Sequence, residues 1–151
     1  MSDPAETTRP AGLLRRLGAM VYDLLLVVAV LMVGTALFLP LTGGEAVSLE
    51  VAGPGLFYFY RFFLLLLVVG FFGLFWTRRG QTLGMAAWHL RLERDDGRKL
   101  TWADALKRLA AACLSLLPVG LGVLWLVVDR DRLAWHDRLT QTRVVYVPKK
   151  K

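Results

Sequence analysis

Hydrophobic and polar positions along this chain are segregated into blocks rather than interleaved at helix or strand period. One uncharged run covers residues 24–41 (LLLVVAVLMVGTALFLPL) and a second covers 62–77 (FFLLLLVVGFFGLFWT). At about 1.5 Å per helical residue the first is close to the length that crosses a hydrocarbon core of roughly 30 Å. A third apolar segment, 109–128, is broken by Leu117-Pro118-Val119-Gly120-Leu121-Gly122. Proline removes a backbone donor there and the glycines loosen the chain, which is tolerated at membrane depth only where protein or water satisfies the freed groups. The pattern predicts an all-α membrane protein, a small transmembrane helical bundle with two firm spans and a third, broken apolar segment. The spans fall at about 17–41, 56–77 and 108–128, the third being either an ordinary span or a bent hairpin that returns to the side it left.

The polar stretches carry a weaker pattern. His89-Leu90-Arg91-Leu92-Glu93 alternates, Asp95-Asp96-Gly97 marks a turn, a second short strand follows to Leu100, and 143–147 (RVVYV) is a further strand candidate, so a small cytoplasmic β element is expected. Thr101 followed by Asp104 opens a capped helix. The organisation is then a disordered tail over 1–12, a membrane domain over 13–147 and a basic tail over 148–151.

Charge gives the orientation. The 151 residues contain 19 Lys+Arg and 12 Asp+Glu, a net charge of +7. Arg9, Arg15 and Arg16 precede the first span, whereas residues 42–60 hold no Lys or Arg and only Glu45 and Glu50. The positive-inside rule puts the N-terminus in the cytoplasm of a bacterial inner membrane and the 42–60 loop outside. Tyr58 and Tyr60 fit an outer interfacial belt, with Arg61 snorkelling outward, and Trp76 fits the inner interface. The basic stretch from Arg78 to Arg108 suits anionic lipid headgroups at the cytoplasmic face, and there is no aromatic-basic signature of a nucleic-acid module. With 56% hydrophobic residues and a mean hydropathy of +0.48, an ordinary soluble core is excluded. A lone cysteine, Cys113, excludes a disulfide scaffold and a thiolate metal site.

Asp23 is the most informative residue, because a carboxylate within an apolar span is costly and marks function by default. Three roles stay open: an ion pair with an arginine that fixes helix packing, a place in proton or cation movement, or a quiet interfacial position. Arg16 lies two turns earlier on the same helix face, about 10 Å away along the axis, so the two suit a shared polar site. After the third segment, His136 and Asp137 sit in a run of alternating charge. Such runs are usually solvated, although imidazole beside a carboxylate can also handle protons. Asp137 is available to an arginine such as Arg16, and Arg108 precedes the third segment. Gly80-Gln81-Thr82-Leu83-Gly84 lacks the spacing of a phosphate loop and reads as a tight membrane-exit turn.

Together these residues resemble the RDD family of bacterial membrane proteins. The resemblance rests on Arg16 to Asp23 in the first span, the GQTLG turn at 80–84, the Asp96-Gly97 turn, Arg108, and residues 133–145 (LAWHDRLTQTRVV), and it covers about 10–147. The family's named arginine and two aspartates would be Arg16, Asp23 and Asp137. Met85 stands where the family often carries lysine. The resemblance implies a membrane protein whose function is largely undefined, with transport suggested.

Two functions follow as expectations. One is cation/proton exchange or small-solute export, with Asp23 protonatable, Arg16 its charge partner, Asp137 closing a cytoplasmic gate, and His136 and Arg108 in weaker support. Three segments rarely enclose a path alone, so this needs a homo-oligomer, for which Ala110, Ala111, Ala112 and Ser115 permit close helix contact. The other is a non-transporting scaffold, assembly factor or anchor with a membrane-protein partner, in which the Arg/Asp set is a structural ion-pair network. No catalytic residue, metal site or cofactor is expected.

Overall fold

The computed structural model describes residues 9–116, 125–130 and 133–148. The apolar, proline-free stretch after the extended Gly12 forms one continuous helix, α1 (Leu13–Ala36). A 3-10 turn with Pro40 near its start (Leu39–Thr42) and two positive-φ glycines, Gly43 and Gly44, then reverse the chain. The second long helix, α2 (Leu49–Arg79), begins where the Ser48 hydroxyl accepts from the Val51 N–H at 3.2 Å. Gly53, at φ 69 and ψ 168, interrupts its first turns, and Pro54 restarts the helix with its ring already at helical φ. Gly80 ends it in the left-handed region (φ 66), its N–H returning to Trp76 O at 3.0 Å.

The remaining elements gather at the end of the long helices where α1 begins and α2 ends. They are a short helix α3 (Leu83–Ala87), strand β2 (Leu90–Arg94), helix α4 (Trp102–Leu116), a 3-10 turn (Trp125–Val127), helix α5 (Trp135–Thr140) and strand β3 (Thr142–Tyr146). Upstream of α1, Arg9–Pro10 form a two-residue strand, β1. The antiparallel sheet runs β1-β3-β2, with Leu90 opposite Tyr146, Arg94 opposite Thr142, and Pro10 opposite Val145. Alternate residues Leu90 and Leu92 of β2 and Val144 of β3 turn inward and meet Ala11, Ala19, Trp76, Met85, Leu100 and Ala105 in the core.

The rest of the apolar surface has no protein to cover it. Leu24, Leu25, Val28, Met32 and Val33 of α1 and Tyr58, Phe59, Phe62, Leu65 and Leu66 of α2 are all exposed. The two helices touch along one seam, where Gly34 lets α1 approach Leu67, Phe63 and Leu64, and Phe38 packs among Phe59, Tyr60 and Phe63. Thr35 Oγ1 and Tyr60 Oη share a hydrogen bond at 3.0 Å across that seam. Among the described residues α1 and α2 are the two helices long and apolar enough to cross a membrane.

Several expectations change. The tail does not run unstructured to residue 12, because Pro10 occupies an edge position that needs no N–H donor on its outer side and Arg9 pairs with Tyr146. No strand follows the Asp96-Gly97 turn to Leu100; β2 pairs with β3 instead. The 108–128 segment begins inside α4, which starts at Trp102 behind a Thr101/Asp104 capping box and buries Ala105, Arg108, Ala111 and Ser115 on one face, and its described end is the 3-10 turn Trp125–Val127. Residues 117–124, which hold the Pro118 and Gly120 break, lie outside the described residues, as does the C-terminal 149–151. Trp76 is buried in the core rather than standing at a lipid interface, with the Arg108 guanidinium 5.6 Å from its ring centroid. Ala111 and Ser115 are consumed by packing within the chain, which removes them from any helix contact between copies.

Candidate functional site

Asp137 sits in the first turn of α5 and is 0% exposed. An isolated carboxylate at such a position would be prohibitively costly, so its partners decide what it does. The Ala134 N–H donates to Oδ2 at 3.2 Å, which caps α5. Arg16 Nη1 donates to the same oxygen, and Arg108 Nη2 donates to Oδ1 at 2.7 Å. Both guanidiniums are themselves buried, at 5% and 4% exposure.

Each arginine reaches further. Arg16, in the first turns of α1, also donates Nε–H to Ala11 O at 3.2 Å and an Nη2–H to Val144 O at 3.4 Å, joining α1, the strand before it and β3. Arg108, on the buried face of α4, donates Nη1–H to the Thr142 hydroxyl and lies over the Trp76 ring of α2. Thr142 and Thr140 share a hydrogen bond at 2.8 Å beside them. One buried carboxylate with two guanidiniums therefore ties α1, α4, α5 and the sheet together.

Burial pushes the Asp137 carboxyl upward, and the nearby cations Arg108 and Arg16 overrule it, holding the group down at about 2. His136 Nε2 is 3.5 Å from Asp137 Oδ1. Burial, and after it the charge of Arg108, pulls this imidazole down to about 4 despite the carboxylate, so it is neutral at physiological pH. Its Nδ1 is buried and has no hydrogen-bond partner among the described residues. Proton handling near neutrality is not what this environment favours. Folded His136 lies below its ordinary 6.5, so the unfolded chain binds the extra proton first and stability declines as pH falls from 6.5 toward 4. Folded Asp137 lies below 3.8, so its contribution is present above that value and is lost as pH falls toward 2. The melting temperature is expected to be flat from pH 7 to 8 and to fall below about 6.5, and His136→Gln should remove the upper part of that fall.

Asp23 belongs to a second, separate cluster. It is buried at 6% exposure, and its oxygens are met by uncharged donors. Thr82 Oγ1 donates to Oδ2 at 2.5 Å and the Gly84 N–H donates to Oδ1 at 2.9 Å. Thr82 is also the N-cap of α3, accepting from Met85 N–H at 3.1 Å. The carboxylate thus closes the N-terminus of α3 from a neighbouring helix. Gly84 is required by approach, since a Cβ there would meet the Ala19 carbonyl oxygen of α1 and lie 2.7 Å from Asp23 Oδ1. Gly80, by contrast, supplies the left-handed turn itself.

The expected pairing of Arg16 with Asp23 is corrected by this geometry. Arg16 is engaged with Asp137, and Asp23 is held by Thr82 and Gly84. The helical spacing that put Arg16 and Asp23 on one face was sound, but about 10 Å of axis let each find a different neighbour. Thr82, Thr142 and Trp76 were missed as members of the site. Thr82 had a signal: a buried carboxylate needs donors, and a threonine before a short helix offers a hydroxyl and an open helix start together.

A family model described as RDD family matches residues 10–141. No curated protein and no solved structure matches the chain.

Proposed function

The chain belongs to the RDD family, a membrane protein by that membership and by its two long apolar helices, and we propose that it is a two-span structural module of the bacterial inner membrane rather than a transporter. The observation that carries this is Asp137, fully buried and shared by Arg16 and Arg108, where it ties the start of the first long helix to α4 and α5. Asp23 supports the same reading, because its two oxygens serve a threonine hydroxyl and a helix-terminal N–H, the requirements of a fixed joint. The module would act as a scaffold, anchor or assembly factor for another membrane protein, with no catalytic residue of its own.

The sheet supports a two-span topology: Pro10 and Val145 are cross-strand neighbours, which favours the N-terminal and C-terminal segments on one side and an even number of crossings. The lack of Lys or Arg between residues 42 and 60 favours the cytoplasm for that side. At helical rise the 24 residues of α1 reach about 36 Å, and Phe57 to Trp76 of α2, with Arg61 near its outer end, about 30 Å, which suits two spans. Asp23 follows Tyr22, which makes an edge-to-face pair with Trp88 at 6.4 Å. A reporter active only in the periplasm should be silent when fused after Lys151 and active when inserted beside Gly44; activity at both positions would refute the two-span arrangement.

Transport retains one supporting observation, a buried carboxylate within a spanning helix. Proteoliposomes loaded with a pH-sensitive dye separate the two. Under sodium, potassium and lithium gradients the structural module predicts no pH change with wild type, and lowered abundance of folded Asp23→Asn. A wild-type signal abolished in a stable, fully incorporated Asp23→Asn would establish transport.

A further inference from the structure

The basic stretch after α2 builds a cleft away from both Asp clusters. It has a volume of about 510 Å³ and lies between the last turn of α2, strand β2 and the turn that leads to Leu100. Seven cationic side chains line it, against the carboxylates of Glu93 and Asp95. Three of the seven are already engaged: Arg94 with Asp96 and Asp104, Arg98 with Asp96 at 3.9 Å, and Arg143 with Asp95 at 3.7 Å. Among the described residues Arg78, Arg79, Arg91 and Lys99 form no ion pair, and all four are exposed.

Four cations lining one concavity repel one another, and among the described residues no carboxylate pairs with them, although Glu93 and Asp95 share the cleft. The surplus is positive charge, which an oxyanion with several acceptor oxygens would satisfy. Arg78 and Arg79 close a helix long and apolar enough to span, which sets the cleft at headgroup depth.

We infer that this cleft is a specific site for a phosphate-bearing anion, held by Arg78, Arg79, Arg91 and Lys99, with the headgroup of an anionic phospholipid as the source its depth favours. This goes beyond diffuse attraction of basic residues to a charged surface, since it assigns one ligand to one concavity. It does not depend on whether the Asp137 cluster is a lock or a gate.

The test uses the full chain in detergent, with phosphatidylglycerol, phosphatidylcholine and inorganic pyrophosphate added separately and bound molecules counted by native mass spectrometry. Wild type should retain one phosphatidylglycerol at least about tenfold more tightly than phosphatidylcholine. The double variant R91A/K99A, on the exposed face of β2 and in the following turn, should lose about tenfold, and R91K/K99R should recover most of it. K107A/R130A removes the same charge from exposed positions outside the cleft and should change affinity less than twofold. Pyrophosphate binding with the same dependence on Arg91 and Lys99, without lipid selectivity, would keep the phosphate site and assign it to a soluble ligand. Equal losses in the two double variants, or no loss in R91A/K99A while its melting temperature matches wild type, would overturn the site.

Discussion

Asp137→Leu is expected to destabilise the protein by about 3–5 kcal/mol and to deplete the folded form from the membrane. The carboxylate is 0% exposed and is the acceptor for two guanidiniums that are about 95% buried. Removing it leaves Arg16 and Arg108 as like charges in the same low-dielectric pocket, where Arg16 also donates to the Ala11 and Val144 carbonyls and Arg108 to Thr142. It also strips α5 of its cap, because the Ala134 N–H loses Oδ2. Asp137→Asn keeps the shape and one acceptor oxygen but not the charge, so it should fall between wild type and leucine. Thermal unfolding in detergent, read with the amount of protein recovered from membranes, checks both. The exposed pair Arg98–Asp96 offers a contrast, since Arg98→Ala at an exposed site should shift stability by less than about 1 kcal/mol.

Gly84→Ala should be the second large effect, at about 2–5 kcal/mol, from a single added methyl group. The new Cβ would meet the Ala19 carbonyl oxygen, which is α1 backbone, and Asp23 Oδ1, which Thr82 also holds. Neither is the loose end of a side chain, so α3 has to move away from α1. Overpacking of this kind costs about 1–3 kcal/mol, and the charged hydrogen bond from the Gly84 N–H that would stretch adds about 1–2. Gly70→Ala is the control: it lies in the middle of α2 with nothing within 4 Å of its would-be Cβ, so it should be neutral or slightly stabilising. A melting comparison of the two alanine variants decides whether the GQTLG turn is held by approach or merely by backbone freedom.

The membrane architecture was legible because burial in lipid writes long uncharged runs, and residues 24–41 and 62–77 fall inside α1 with its following turn and inside α2. Strands β2 and β3 were legible to within one residue, because alternation at Leu90, Leu92, Val144 and Tyr146 survives whatever the partner is. Their pairing was not, since β2 pairs with a strand nearly fifty residues away rather than with its neighbour across the Asp96-Gly97 turn. The same limit governs the site. Arg16, Asp23, Arg108 and Asp137 stood out one by one as charges in apolar surroundings. Which of them met was decided by tertiary closure, which brings together residues 16 and 137 and parts residues 16 and 23. His136 was misjudged for a related reason: its ordinary titration range is a property of the solvated ring, and burial beside Arg108 removes it.

If the Arg/Asp cluster is a structural lock, its members are needed only because the others are there. A buried ion triad can be exchanged as a whole for apolar side chains with little loss, whereas breaking it piecemeal strands a charge. The decisive measurement is the melting temperature of R16M/R108M/D137L beside that of D137L, both purified in the same detergent. The lock predicts that adding the two methionine substitutions raises the melting temperature of D137L most of the way back toward wild type. A triple variant that melts below D137L, with the three losses simply accumulating, would contradict it.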